Sequence, residues 1–236
     1  MTVNPDQVIL FRAGFVTINA TIFYTWIVMA ILVLTSFLIT RKLSIGPNIS
    51  RRQHFLEAVV EILSGQLKNI TGRETTRYFP YLGTLFLFIF CANVMELIPF
   101  VHSPTASFST TAALAFTVFI AVPLFGILEN GFFEHLKYYL EPVIVMLPLN
   151  IITEFTRVIA MSIRLFGNIM SESLVGAILL LILPLFVPVL MDILGLIICT
   201  VQAYIFFILA AVFIGGAVAA RAEREHKDSS AKESLK

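Results

Sequence analysis

The stretch from Pro142 to Ala220 is almost continuous apolar sequence, interrupted by Glu154, Arg157, Arg164, Glu172 and Asp192. A run of that length exceeds what a single globular core takes up. A bilayer does take it up, since a hydrocarbon core about 30 Å thick needs about 20 apolar residues of helix. Three further apolar runs precede it: Thr21 to Ile39, which is uncharged, Tyr81 to Val101, charged at Glu96, and Thr110 to Leu128. Of all residues 58% are hydrophobic and 13% charged; soluble domains carry about 45–50% and about 25%. The chain therefore reads as an all-α polytopic membrane protein. A soluble enzyme, a disordered chain and a secreted disulfide scaffold are excluded. The net charge of +1 offers no basic field for nucleic acid. Cys91 and Cys199 lie inside apolar runs and read as small buried hydrophobes.

The long block sets the architecture. As one helix, Pro142 to Leu190 would run roughly 73 Å at 1.5 Å per residue, more than twice the membrane thickness. It must be broken, strongly tilted or folded into a hairpin, with Pro148, Pro184 and Pro188 as breakers. The final span, Ile193 to Ala220, is also long and is expected to tilt. Basic residues orient the chain. Arg41, Lys42, Arg51, Arg52, Lys68, Arg73 and Arg77 follow the first span, and Arg221, Arg224, Lys227, Lys232 and Lys236 make the tail basic. The positive-inside rule puts both segments in the cytoplasm and the N-terminus outside, which demands an odd number of crossings. Five fits. Residues 1–236 then form a single membrane domain, with 1–19 external and 221–236 a cytoplasmic tail. No basic segment precedes the first apolar run, so no cleavable signal peptide is expected. The last two long segments are suited to pack as an antiparallel pair.

Phe55 to Ile70 is a separate case. Gln53, Glu57, Glu61, Ser64 and Lys68 fall on one helical face, with Phe55, Leu56, Val59, Val60, Leu63 and Leu67 largely on the other. Such a helix lies along the cytoplasmic membrane surface or packs on its neighbours.

Ionisable residues inside a span cost about 2.5–3.5 kcal/mol on insertion scales, so they mark functional candidates. Arg164 stands deepest in apolar sequence, and arginine cannot escape by losing its proton. Its structural alternative is a salt bridge to Glu154 or Glu172. Glu154, Arg157, Met161, Arg164, Asn168 and Glu172 advance by three or four residues and form one helical stripe. Gly167 and Gly176 keep that helix low for a close neighbour. A polar stripe with one permanent positive charge suits an ion path. Gln202 in the last apolar segment can hydrogen-bond across to Arg164 or serve as a plain interhelical contact. Asp192 reads as a cap on the last helix. His54, His102, His135 and His226 are scattered, and no HExxH, GxSxG or Gly-rich phosphate loop occurs, so neither metal nor cofactor is expected.

At these residues the chain resembles a known family. Pro148-Leu149-Asn150-Ile151-Ile152, Ser162-Ile163-Arg164-Leu165-Phe166-Gly167-Asn168-Ile169 and Gln202-Ala203-Tyr204-Ile205-Phe206 resemble subunit a of the F-type ATP synthase membrane sector, of the bacterial or plastid kind. Asn93 to Pro99, Pro104-Thr105 and Thr110 to Ala115 are similar too, so the likeness spans about Arg51 to Gly216. The resemblance implies a non-catalytic stator subunit beside a rotating ring of c subunits, with peripheral-stalk b subunits and the nucleotide-binding subunits as further partners. It implies two offset half-channels that load and unload ring carboxylates. Arg164 matches the family's essential arginine, Asn168 the asparagine one turn on, and Gln202 the last-helix glutamine. Glu96 resembles the acidic residue of the external half-channel; Glu154 and Arg157 are candidates for the internal one. One departure stands out. Many members carry a carboxylate nine residues after the arginine, where this chain has Ser173, with Glu172 one place earlier and rotated about 100°. The family's variable polar site seven residues before the glutamine is Gly195 here, so Glu172, Glu96 and Asp192 are left for the outer path.

Ion choice rests on the ring subunit, with protons the expectation and sodium the alternative. A secondary transporter or channel is the competing reading, and would be expected to show internal repeats. The resemblance places the chain in a bacterial inner membrane, with a thylakoid membrane as the alternative.

Overall fold

The computed structural model describes residues 9–13, 16–41, 51–72, 77–95, 103–131, 146–182 and 187–233. The fold is helical: α1 Ala20–Thr40, α2 Arg51–Thr71, α3 Phe79–Val94, α4 Phe108–Asn130, α5 Met146–Ile182 and α6 Val187–Glu233. A two-stranded antiparallel ribbon, β1 Ile9–Ala13 with β2 Val16–Asn19, precedes α1. It adds to the helical class expected from sequence. Its local signal is the β-branched run Val16, Thr17, Ile18.

Segments of α1, α4, α5 and α6 are long and apolar enough to cross a membrane. α3 has 16 residues, about 24 Å of helix, and ends at Val94 where the sequence suggested a span to Val101. Glu96 and His102 fall outside the described residues. The long apolar block resolves as a hairpin. α5 runs unbroken for 37 residues, and the next helix begins at Val187. Of the three expected breakers, Pro184 alone lies between the helices. Pro148 and Pro188 sit in the first turns of α5 and α6, where the missing N–H has no intrahelical partner to lose. α6 starts earlier than expected, so Asp192 lies within the helix and not at its cap.

α6 is the centre of the packing, with α2, α3, α4 and α5 against it. Its Ala203, Phe206, Phe207, Ala210, Ala211 and Ile214 are buried. Small residues let backbones approach closely where lipid supplies no hydrophobic drive between helices. Phe86 of α3 meets Phe207 edge-on, with centroids 6.2 Å apart. α5 joins the core through Met161, Leu165 and Ile169, a four-residue repeat that fixes which face turns inward. Exposed Phe23, Trp26, Val33, Leu34, Phe37 and Leu38 on α1 suit contact with lipid or partner helices. Its threonines stay satisfied internally, as Thr25 Oγ1 donates to the Thr21 carbonyl at 2.7 Å and Thr35 Oγ1 to that of Ile31 at 2.7 Å.

α2 packs on its neighbours through part of its apolar side, while Val60 and Ile62 stay exposed. Leu63 and Leu67 are buried within the main cluster. Gln53, expected on the polar face, is buried as well, and its amide donates to Glu57 Oε1 at 2.9 Å. The helix ends at Gly72, whose φ of 66° lets its N–H reach the Lys68 carbonyl at 2.9 Å. Gly131 closes α4 in the same way, with φ 84° and a 2.8 Å bond to Ile127.

Between α3 and α4 the 3₁₀ turn Pro104–Ala106 carries a buried polar cluster. Thr105 Oγ1 donates to Asn93 Oδ1 at 2.6 Å, and Ser103 Oγ donates to the Ala92 carbonyl at 2.8 Å. This ties the turn to the end of α3. Thr105→Val keeps the shape but strands the Asn93 carbonyl, at a cost of about 1–3 kcal/mol. A lowered thermal midpoint of the purified complex is expected for Thr105→Val, and none for Thr105→Ser. Equal midpoints for valine and wild type would show that the cluster does not hold the turn.

Candidate functional site

The α5–α6 hairpin brings most of the sequence-predicted residues together. Three pairings mark its register. Arg157 of α5 lies over the ring of Phe213, with Cζ 4.7 Å from the centroid. Asn168 Nδ2 donates to Gln202 Oε1 at 2.7 Å. Glu172 lies against Gly195, where a β-carbon would collide with Oε1 and stand 3.1 Å from Cδ. As the α5 positions rise, the α6 positions fall, so the two helices run antiparallel, as the sequence suggested.

Of the two pairings expected for Gln202, the one found is the interhelical contact and not the bond to Arg164. The Gln202 carbonyl oxygen accepts from Asn168, one turn beyond Arg164. Gln202 is 3% exposed, and its Nε2 has no hydrogen-bond partner among the described residues. A buried amide donor left unmade is costly, and marks a place where water or another polar group belongs. Arg164 itself is exposed in the single chain. Neither Glu154 nor Glu172 pairs with it: among the described residues the guanidinium has no hydrogen bond or ion pair. An uncompensated cation on a helix of membrane length is expensive, which marks Arg164 as a functional candidate.

The polar stripe splits in the fold. Met161 turns into the core, Arg157, Arg164 and Asn168 are exposed, and Glu154 and Glu172 are half-buried. The stripe therefore follows the edge between the packed and the open faces of α5. Gly167 and Gly176 have open space where a side chain would stand, with no close neighbour among the described residues. The contact glycines are instead Gly195 and Gly215; a β-carbon added at Gly215 would stand 2.9 Å from Thr71 Cγ2.

The departure at Ser173 also resolves. Ser173 Oγ turns back on its own helix, to the Ile169 and Met170 carbonyls at 3.0 and 3.1 Å. Glu172 is the residue aimed at α6. In the sequence Gly195 is only an absent polar group; in the fold it is the space that the Glu172 carboxylate occupies. Phe213 was also missed, because an aromatic residue in an apolar helix carries no signal beyond core packing. At the Phe213 end, Val118, Phe119 and Val122 of α4 join Glu154, Arg157, Val158, Met161 and Phe213 around a cleft of about 20 Å³, roughly the space of one water. Among the described residues no group of three or more His, Cys, Asp or Glu side chains is placed to hold a metal.

The chain matches the family model described as ATP synthase A chain over residues 22–215. It is 47% identical to ATP synthase subunit a 2 of Picosynechococcus sp., over 95% of this chain and 97% of that protein. It is 49% identical to ATP synthase subunit a of Albidiferax ferrireducens, over 94% and 96%, and 51% identical to ATP synthase subunit a 1 of Chlorobaculum parvum, over 94% and 98%. The matched residues contain the whole α5–α6 site from Glu154 to Phe213. With its apolar helices and this agreement along nearly its full length, the chain belongs to the ATP synthase subunit a family.

Proposed function

We propose that the chain is the ion-translocating stator of an F-type ATP synthase, with the open face of α5 turned to a ring of c subunits. The observation that carries this reading is Arg164, a permanent cation at membrane depth with no partner among the described residues. A carboxylate on the ring must be neutral while it faces lipid and can ionise only at a polar stator surface. Arg164 favours the ionised form as each carboxylate passes. Its charge also bars ions from leaking straight through. The attraction must stay modest or the ring would stall, and water about Asn168 and Gln202 keeps it so by raising the effective dielectric.

Two half-channels then meet at Arg164. Glu172 and Glu96 serve the outer path, with Glu172 on the hairpin side of the arginine. Glu154 and Arg157 serve the inner path. The N-terminus lies outside and the tail beyond Ala220 in the cytoplasm, beside the b subunits, in a bacterial plasma membrane. Protons are the coupling ion, and nucleotide chemistry belongs to partner subunits.

The test is ATP-driven acidification of inverted vesicles holding the complete complex, with and without sodium and with a protonophore. Acidification that the protonophore abolishes and sodium does not alter is the expected result. Sodium accumulation without acidification would transfer the same mechanism to sodium. Neither ion moving, with ATP hydrolysis intact and the ring attached, would sink the proposal.

A further inference from the structure

We infer that Phe108 is a positioning residue for Arg164: its ring, set edge-on against Phe166, fixes the rotation of α5 about its own axis and so the direction in which the guanidinium stands. The inference rests on the proposed role of Arg164. Phe108 opens α4, and Phe166 lies on α5 two residues after the arginine. Their ring centroids are 5.7 Å apart with planes at 81°, an edge-to-face arrangement that aromatic pairs favour. The base of Phe108 is well held. Ser107 before it is buried, and its carbonyl accepts from the Thr111 N–H at 3.2 Å. The turn before that carries the buried Pro104 and Thr105.

Helix geometry shows what this contact holds. At 3.6 residues per turn each step is about 100°, so Arg164 and Phe166 project about 100° to either side of Leu165. Leu165 is buried in the core. Asn168, one turn beyond Arg164 on the same flank, bonds to Gln202 of α6. The arginine flank of α5 is therefore the one toward α6, and Phe166 lies on the flank toward α4, where Phe108 meets it. Burial of Leu165 sets how deep the helix sits, but apolar contact is non-directional and resists roll weakly. The hydrogen bond on one flank and the ring pair on the other supply that resistance. A roll of about 10° moves a group about 6 Å from the helix axis by about 1 Å, and a misplacement of about 1 Å can cost about 100-fold in rate. Phe108 is itself 51% exposed, so its ring adds little to the core, and core packing does not explain it.

Double-mutant cycles in the complete complex test this, with acidification rates normalised to the ring retained and thermal midpoints measured beside them. Phe108→Leu is expected to slow acidification about two- to tenfold, the worth of an aromatic pair expressed as a rate, at the wild-type midpoint. Phe108→Tyr keeps the ring and the rate. Phe166→Leu slows pumping to the same extent, and the double leucine variant is no slower than either. In the Arg164→Ala background Phe108→Leu has no further effect, since no guanidinium is left to misplace. A further loss in that background, additive losses in the double leucine variant, or equal losses for tyrosine and leucine would assign Phe108 to packing and overturn the inference. A midpoint that falls with the rate, or failure of both leucine variants to assemble, would do the same. If Arg164→Ala is impaired while Phe108→Leu pumps at the wild-type rate, the inference alone fails. If Arg164→Ala itself pumps at the wild-type rate, the proposed function fails and takes the inference with it.

Discussion

Arg164→Ala is expected to lower ATP-driven acidification roughly 100-fold while leaving the complex assembled. The magnitude follows from the charge it removes. Without the guanidinium, each ring carboxylate would have to ionise at an apolar surface, at about 2.5–3.5 kcal/mol on insertion scales. That free energy corresponds to a rate factor of roughly 70–400 if it adds to the barrier. Assembly should survive because Arg164 is exposed and makes no contact that holds the fold; its neighbour Leu165 anchors α5 in the core. The measurement is acidification beside ATP hydrolysis, with ring retention as the control. Lysine at the same place should recover part of the rate: it keeps a charge but lacks the planar fork and can lose its proton when desolvated. Wild-type acidification in the alanine variant would remove Arg164 from the mechanism.

Gly195→Val should slow pumping about 10-fold or more, since displacing a working group by an ångström can cost that much. Its effect on stability should be small. The first atom an added β-carbon meets is Glu172 Oε1, the far end of a flexible side chain. The carboxylate can swing away at little cost to packing, but it then leaves its place against α6. Loss of transport without loss of thermal stability is therefore the signature. Gly195→Ala should act in the same direction, and Glu172→Asp, one methylene shorter, should recover part of the rate in that background. If Gly195→Ala pumps normally while Glu172→Gln is impaired, the carboxylate works from some other position.

The two substitutions differ in how far the sequence exposed them. Arg164 was legible at once, because an arginine in an apolar run has no inexpensive explanation. The stripe from Glu154 to Glu172 was legible as well, since helical spacing is a property of the chain alone. Its division was not. Met161 turns inward and Arg164 outward because α4 and α6 cover one side of α5, and periodicity does not say which side neighbours will cover. The partner of Gln202 shows the same limit. Arginine and asparagine lie one turn apart on α5, and only the register of α6 selects Asn168.

Composition and spacing alone determined that this chain is a helical membrane protein, that the block after Pro142 must break, and that Arg164 is its most costly residue. These follow from local physics: helix rise against bilayer thickness, and the desolvation of a charge that cannot be neutralised. Tertiary structure decided where the break falls, which helix forms the centre, and that Gly195 is occupied by Glu172 while Phe213 carries Arg157. Those outcomes depend on the antiparallel register of two helices packed against α4. A glycine or a phenylalanine in an apolar run looks the same whether it faces lipid, a core or a charge, until the opposing helix is in place.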